Sequence, residues 1–193
     1  MKNKGFTLVE LLAMLVVLGV LMTVAIPNIA GILNNQKKNN LKSDVTTMLE
    51  TAKIKISRNS LMVKPQDGEC IGFSLDYLND NDNINLGPNG GSYEKYESFI
   101  IYARNKRTNT TEPVKYNYYV RLIEKYNTNK YFGIELDDVK NISETNNKNI
   151  KNIKNYTAYG LTKEGNNESV LNNNADISSL CPNGVKKYYV RNN

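Results

Sequence analysis

Apolar residues crowd the first part of the chain. No residue from Leu11 to Ile26 is charged, and the whole stretch from Gly5 to Leu33 reads GFTLVELLAMLVVLGVLMTVAIPNIAGIL. About 20 such residues cross a bilayer core, and within lipid only a helix satisfies its own backbone. The pattern predicts a membrane-spanning helix over 6–33. Asn34 to Asn40, NNQKKNN, is polar and marks the exit from the membrane. Apolar positions then return at spacings of three and four: Leu41, Val45, Met48, Leu49, Ala52 and Ile56. That is one face of an amphipathic helix over 34–58. Pro27 should kink the helix, because proline removes an internal hydrogen bond and crowds the preceding turn. The apolar stripe needs a covering surface, which only the rest of the chain can supply.

From residue 59 to 193 the pattern changes to that of one β-rich globular domain. Cys70–Leu78 is a candidate strand, followed by a turn-rich loop from Asn79 to Gly91. Tyr93–Arg104, Val114–Lys125 and Lys130–Val139 are rich in Tyr, Ile, Phe and Val, and short breaks separate them. They predict an antiparallel meander with one face on the helix. Asn141–Asn155 reads as a surface loop or a short irregular helix, Lys163–Asn174 as a loop, Tyr156–Thr162 as a short strand, and Val185–Arg191 as a strand closing the sheet edge. The expected fold class is α+β: a long N-terminal helix, its first half in the membrane, packed against an antiparallel sheet.

Residues 1–5 form a short cationic leader with Lys2 and Lys4. Behind it, Glu10 stands at the edge of the apolar run, where a carboxylate is costly without a partner. Gly5-Phe6-Thr7-Leu8-Val9-Glu10-Leu11-Leu12, with a lysine before it and the apolar run behind, resembles the class III signal of type IV prepilins. The resemblance implies cleavage by a prepilin peptidase between Gly5 and Phe6, and N-methylation of Phe6. It implies that Glu10 pairs with the N-terminal amine of a neighbouring subunit, that Gly19 loosens the helix and that Pro27 kinks it. It also implies the lollipop architecture of pilins. The lysines flanking the span, Lys2 and Lys4 against Lys37, Lys38 and Lys42, nearly balance. Orientation therefore comes from the resemblance: leader inside and domain outside, as a single-pass membrane protein before assembly and an extracellular pilus afterwards. A secretory signal peptide fits less well, since the apolar character runs on past Ala25 and Glu10 interrupts it.

The implied role is a structural subunit of a type IV pilus, major or minor. The alternative is a pseudopilin of a type II secretion or competence DNA-uptake system. The implied partners are other pilin subunits, the prepilin peptidase, the assembly machinery and, before assembly, membrane lipid. The 193 residues carry a formal net charge of +6, which falls to +4 once Lys2 and Lys4 leave with the leader. That charge is compatible with contact to DNA or an anionic surface without pointing to it. There is no histidine, which removes the His-dependent nucleophile systems and the common zinc sites. No cofactor, metal or enzymatic activity is expected. Outside the cell Cys70 and Cys181 read most simply as one disulfide, an arrangement many pilins resemble; two free thiols are the other reading. Asp80 and Asp82 lack the further ligands of a calcium loop. Asp137 and Asp138, adjacent on a strand, would face opposite sides. Four Asn-x-Ser/Thr sequons, at Asn109, Asn141, Asn155 and Asn167, are expected by chance in so asparagine-rich a chain. The tyrosines, all from Tyr77 onward, read as half-buried sheet residues rather than an adhesive surface.

Overall fold

The structure, a computed structural model, describes residues 6–79, 84, 86–136, 150–151 and 156–191, without the side chains of 24–28 and 150–151. The chain divides into two compact units, Met1–Lys37 and Lys38–Asn193. Helix α1 (Leu8–Arg58) begins in the first and continues into the second. In the first unit its apolar side chains are exposed, from Leu8 to Met22 and again at Ile29, Ile32 and Leu33. Burying one such side chain is worth about 1.5–3 kcal/mol, so this surface requires lipid or other apolar helices around it.

In the second unit the stripe on α1 is covered. Leu41, Val45, Met48, Leu49 and Ala52 are buried, with Ile56 half-buried beside them. The covering sheet comprises β1 (Cys70–Ser74), β2 (Ser92–Tyr93), β3 (Phe99–Arg104), β4 (Tyr116–Asn127), β5 (Lys130–Leu136), β6 (Ile150–Lys151) and β7 (Val185–Tyr189). Its order is β6-β5-β4-β3-β1-β7, with β2 paired to β4. Alternation along the strands sends Ile71, Phe73, Ile100, Val120, Leu122 and Ile134 to the α1 face. Phe99, Ile101, Ala103 and Tyr119 go to the other face.

That other face is not open to solvent, contrary to a one-sided meander. Leu161, Leu171, Ile177 and Cys181 pack on it. They come from an irregular strap, residues 156–162, and from two short helices, α3 (Asn167–Asn172) and α4 (Ala175–Leu180). The strap was expected as a strand and residues 163–174 as loop. The α3 and α4 helices are six residues each, too short for an apolar period to show. What starts them is side-chain capping: Asn166 accepts from the Ser169 N–H, and Asn174 from those of Asp176 and Ile177. A third short helix, α2 (Leu75–Leu78), ends the first expected strand early, because the Ser74 hydroxyl accepts from the Tyr77 N–H. Tyr93–Arg104 is likewise divided, with a turn between β2 and β3.

The expectation of a purely antiparallel sheet is also corrected. The β1–β3, β3–β4, β4–β5, β5–β6 and β2–β4 pairs are antiparallel, but β7 runs parallel to β1. A parallel pair needs a long crossover, and here the chain returns across the far face before entering beside β1. Cys70 and Cys181 form a disulfide, with their Cα atoms 5.7 Å apart, and Cys70 is the register partner of Val185. The bond fastens the start of β7 to the start of β1. Close fit matters there too: a Cβ on Gly72 would lie 2.5 Å from the Tyr188 ring and 2.9 Å from Ile101.

Two buried carboxylates hold the layers together. On the far face Glu97 accepts from the N–H groups of Tyr159, Gly160 and Leu161 at 3.0, 2.7 and 3.0 Å. Arg121 beside it donates to the Thr157 carbonyl at 2.7 Å, and its guanidinium lies 3.7 Å from the Tyr159 ring centre. The strap is thus bound through its backbone, which no hydropathy pattern reveals. On the α1 face Glu124 accepts from the N–H groups of Asn89 and Gly91 at 2.8 and 2.9 Å, fixing the loop before β2. A Cβ on Gly91 would meet the Lys125 carbonyl at 2.3 Å, so only glycine allows this approach.

Near Glu124, the Tyr93 hydroxyl donates to Asp44 of α1 at 2.5 Å. Burial pushes the Asp44 carboxyl above its ordinary value; the Tyr93 bond opposes the rise, and the Glu124 charge adds to it. The folded state therefore holds this proton to higher pH than the unfolded chain, where the group titrates near about 3.9. Its stabilising contribution is full below that pH and is lost as the pH rises through the folded value. Asp44→Asn keeps an acceptor for Tyr93 and removes the charge. In urea unfolding of the full chain in detergent, the variant should gain on the parent between pH 4 and pH 7. An equal difference at both pH values would contradict this account.

Candidate functional site

The start of α1 is built by four residues. Thr7 precedes the first helical residue, Leu8. Its hydroxyl accepts from the Glu10 N–H at 3.3 Å. In return Glu10 Oε2 accepts from the Thr7 N–H at 2.9 Å and from the Thr7 hydroxyl at 2.8 Å. The Thr7 carbonyl receives the first helical bond, from Leu11 at 3.2 Å. This is a reciprocal capping box: two donors that a helix start leaves unsatisfied are bonded by the side chains of Thr7 and Glu10. The carboxylate also stands at the positive end of the helix dipole. Both bonds to the carboxylate fall on Oε2, and Oε1 has no partner among the described residues. Phe6, directly before the box, is exposed, and Gly5 lies outside the described residues.

Residues 1–26 match a family model described as the prokaryotic N-terminal methylation motif. The chain carries the class III signal of type IV pilins. The motif marks a type IV pilin-like or pseudopilin precursor, processed by a prepilin peptidase and assembled with other pilin subunits. No curated protein and no solved structure matches the chain.

The matched residues 1–26 contain Gly5, Phe6, Thr7, Glu10 and Gly19. Gly5, Phe6, Glu10 and Gly19 are the residues to which the resemblance gives roles; Thr7 is not among them. The spacing that would have found it, Thr-x-x-Glu ahead of an apolar run, stands in the chain as Thr7-Leu8-Val9-Glu10. α1 stays helical through Gly19 and Pro27. A Cβ on Gly19 would meet nothing within 4 Å, so no contact among the described residues demands glycine there. The side chain of Pro27 lies outside the described residues. Among the described residues no helix is long and apolar enough to cross a membrane; the apolar run in the sequence continues into 24–28, whose side chains are outside that set. The described residues also hold no group of three or more His, Cys, Asp or Glu able to bind a metal. Asp80, Asp82, Asp137 and Asp138 lie outside them. The disulfide between Cys70 and Cys181 belongs to the second unit and takes no part in the signal.

Proposed function

We propose that this chain is a structural subunit of a type IV pilus, held in the membrane by residues 6–33 until it is cut between Gly5 and Phe6. Cleavage creates a charged amine on Phe6, which is then methylated and keeps its charge. A cation at the start of a helix is unfavourable, because that end already carries the positive end of the dipole. Glu10 of a neighbouring subunit offsets it. The capping box carries this reading: Thr7 holds the carboxylate by one oxygen, and Oε1, without a partner among the described residues, is available to an incoming amine. An ion pair between apolar helices adds little net stability, but leaving either charge alone is costly, so the pair acts mainly on register. The exposed apolar face of α1 supplies the drive for the helices to leave lipid and pack on one another.

A filament subunit is favoured over a pseudopilin by the size of the second unit, with its sheet covered on both faces. Mass spectrometry of the N-terminus, on protein sheared from cells and on protein left in membranes, tests this. A methylated Phe6 start in the sheared fraction is the expected result. The same start confined to membranes indicates a pseudopilin, and an intact Met1 or a start after Ala25 overturns the prepilin reading altogether.

A further inference from the structure

The connection between β3 and β4 carries Asn109-Thr110-Thr111, one of the four sequons. Asn141 and Asn155 lie outside the described residues. The other two are in opposite situations. Asn167 is 3% exposed; its Oδ1 accepts from the Thr162 N–H at 3.0 Å, and its Nδ2 donates to the Thr162 carbonyl at 2.7 Å. Both ends of that amide are in use and no sugar would fit. Asn109, Thr110 and Thr111 are exposed.

The Asn109 amide is held by one end only. Its Oδ1 accepts from the Thr111 N–H at 3.1 Å, the Thr111 hydroxyl at 2.7 Å and the Glu112 N–H at 3.1 Å. Nδ2 has no partner among the described residues. The loop around it is braced. Arg107 donates to Asp67 at 2.8 Å and to the Thr110 and Glu112 carbonyls at 3.4 and 3.3 Å, and the Glu112 carboxylate accepts from the Thr108 N–H and hydroxyl. The amide nitrogen is thereby presented from an ordered Asx-turn on an exposed loop, with the sequon hydroxyl already at the side chain it serves.

We propose that Asn109 is an acceptor for N-linked glycan, transferred on the outer side of the membrane from a lipid-diphosphate-linked oligosaccharide by a membrane oligosaccharyl transferase. The Asn109 Nδ2–C1 bond forms as the C1–O bond to the diphosphate breaks. The electron pair leaves with the lipid diphosphate, and one Nδ2 proton passes to a carboxylate base of the transferase. No redox change occurs. The proposal rests on the pilin reading only for the outer location of this loop.

Trypsin cuts after Arg107 and Lys115, so the loop is recovered as one peptide, Thr108–Lys115. Mass spectrometry of full-length subunits from the native cells should find that peptide carrying a sugar mass that fragmentation places on Asn109. The mass should vanish in Asn109→Gln and Thr111→Ala and persist in Thr111→Ser, while Asn167 stays bare. An unmodified Thr108–Lys115, or a sugar on a threonine that survives in Asn109→Gln, overturns the proposal. The N-terminal peptide of the same digest reports processing separately, so a failure here is distinct from a failure of the pilin reading.

Discussion

Glu10→Gln should leave cleavage and methylation of Phe6 intact and reduce incorporation into filaments at least about a hundredfold. An unpaired amine between packed helices costs on the order of 3–5 kcal/mol, and each 1.4 kcal/mol is a factor of ten. Glutamine serves in a capping box as glutamate does, so the start of α1 survives in the variant. Glu10→Ala removes both functions, and the lost cap adds about 1 kcal/mol. The two variants therefore separate charge pairing from capping. Subunit content of sheared filaments, set against methylated subunit in membranes, is the measurement. A large loss in Glu10→Gln, with Glu10→Ala worse only by the increment of the lost cap, supports pairing through charge; assembly restored by glutamine alone would mean that the cap carries the effect, and pairing would be dropped.

Replacing Cys70 and Cys181 together by serine should lower the stability of the second unit by about 4–5 kcal/mol, the chain-entropy value for a loop closed over 111 residues. The loss should not be spread evenly. The bond stands where β7 enters beside β1 and where α4 meets the far face, so hydrogen exchange should rise first in α3, α4 and β7 and last in β3–β4–β5. Unfolding of the full chain in detergent, with and without reductant, gives the total. Unchanged stability on reduction would mean that the far layer is held by Glu97 and the apolar contacts alone.

The parts legible in the sequence were those with a period. The stripe from Leu41 to Ile56 placed α1 on the sheet, and the β-branched and aromatic runs located β3, β4 and β5. The rest depended on bonds that carry no period. The β7 strand is VKKYY, and nothing in those residues says whether they run with or against β1. The α3 and α4 helices begin at two asparagines in a chain full of asparagine, so the caps were hidden by composition. The strap is fixed by Glu97 to three backbone N–H groups, a partnership that leaves no mark on the strap's own residues. At the N-terminus the motif itself was legible because spacing defines it. Thr7 stands in that motif without a role of its own in the sequence, although its hydroxyl does the capping.

The position of β7 bears on the order in which the second unit can fold. β1 sits between β3 and β7, yet β7 follows every other strand in the chain. While the chain is still incomplete, β3, β4 and β5 are close enough in sequence to pair by hairpin closure, and β1 waits with one edge bare. Long-range pairings of this kind form late, because loop closure is paid for before the contacts return anything. Cys70 meanwhile has no disulfide partner until Cys181 is in place. A nascent or truncated subunit is therefore marked by two features at one place, an unpaired strand edge and a reduced thiol, and both disappear together when β7 docks. Closure of that one site distinguishes a finished second unit from an unfinished one.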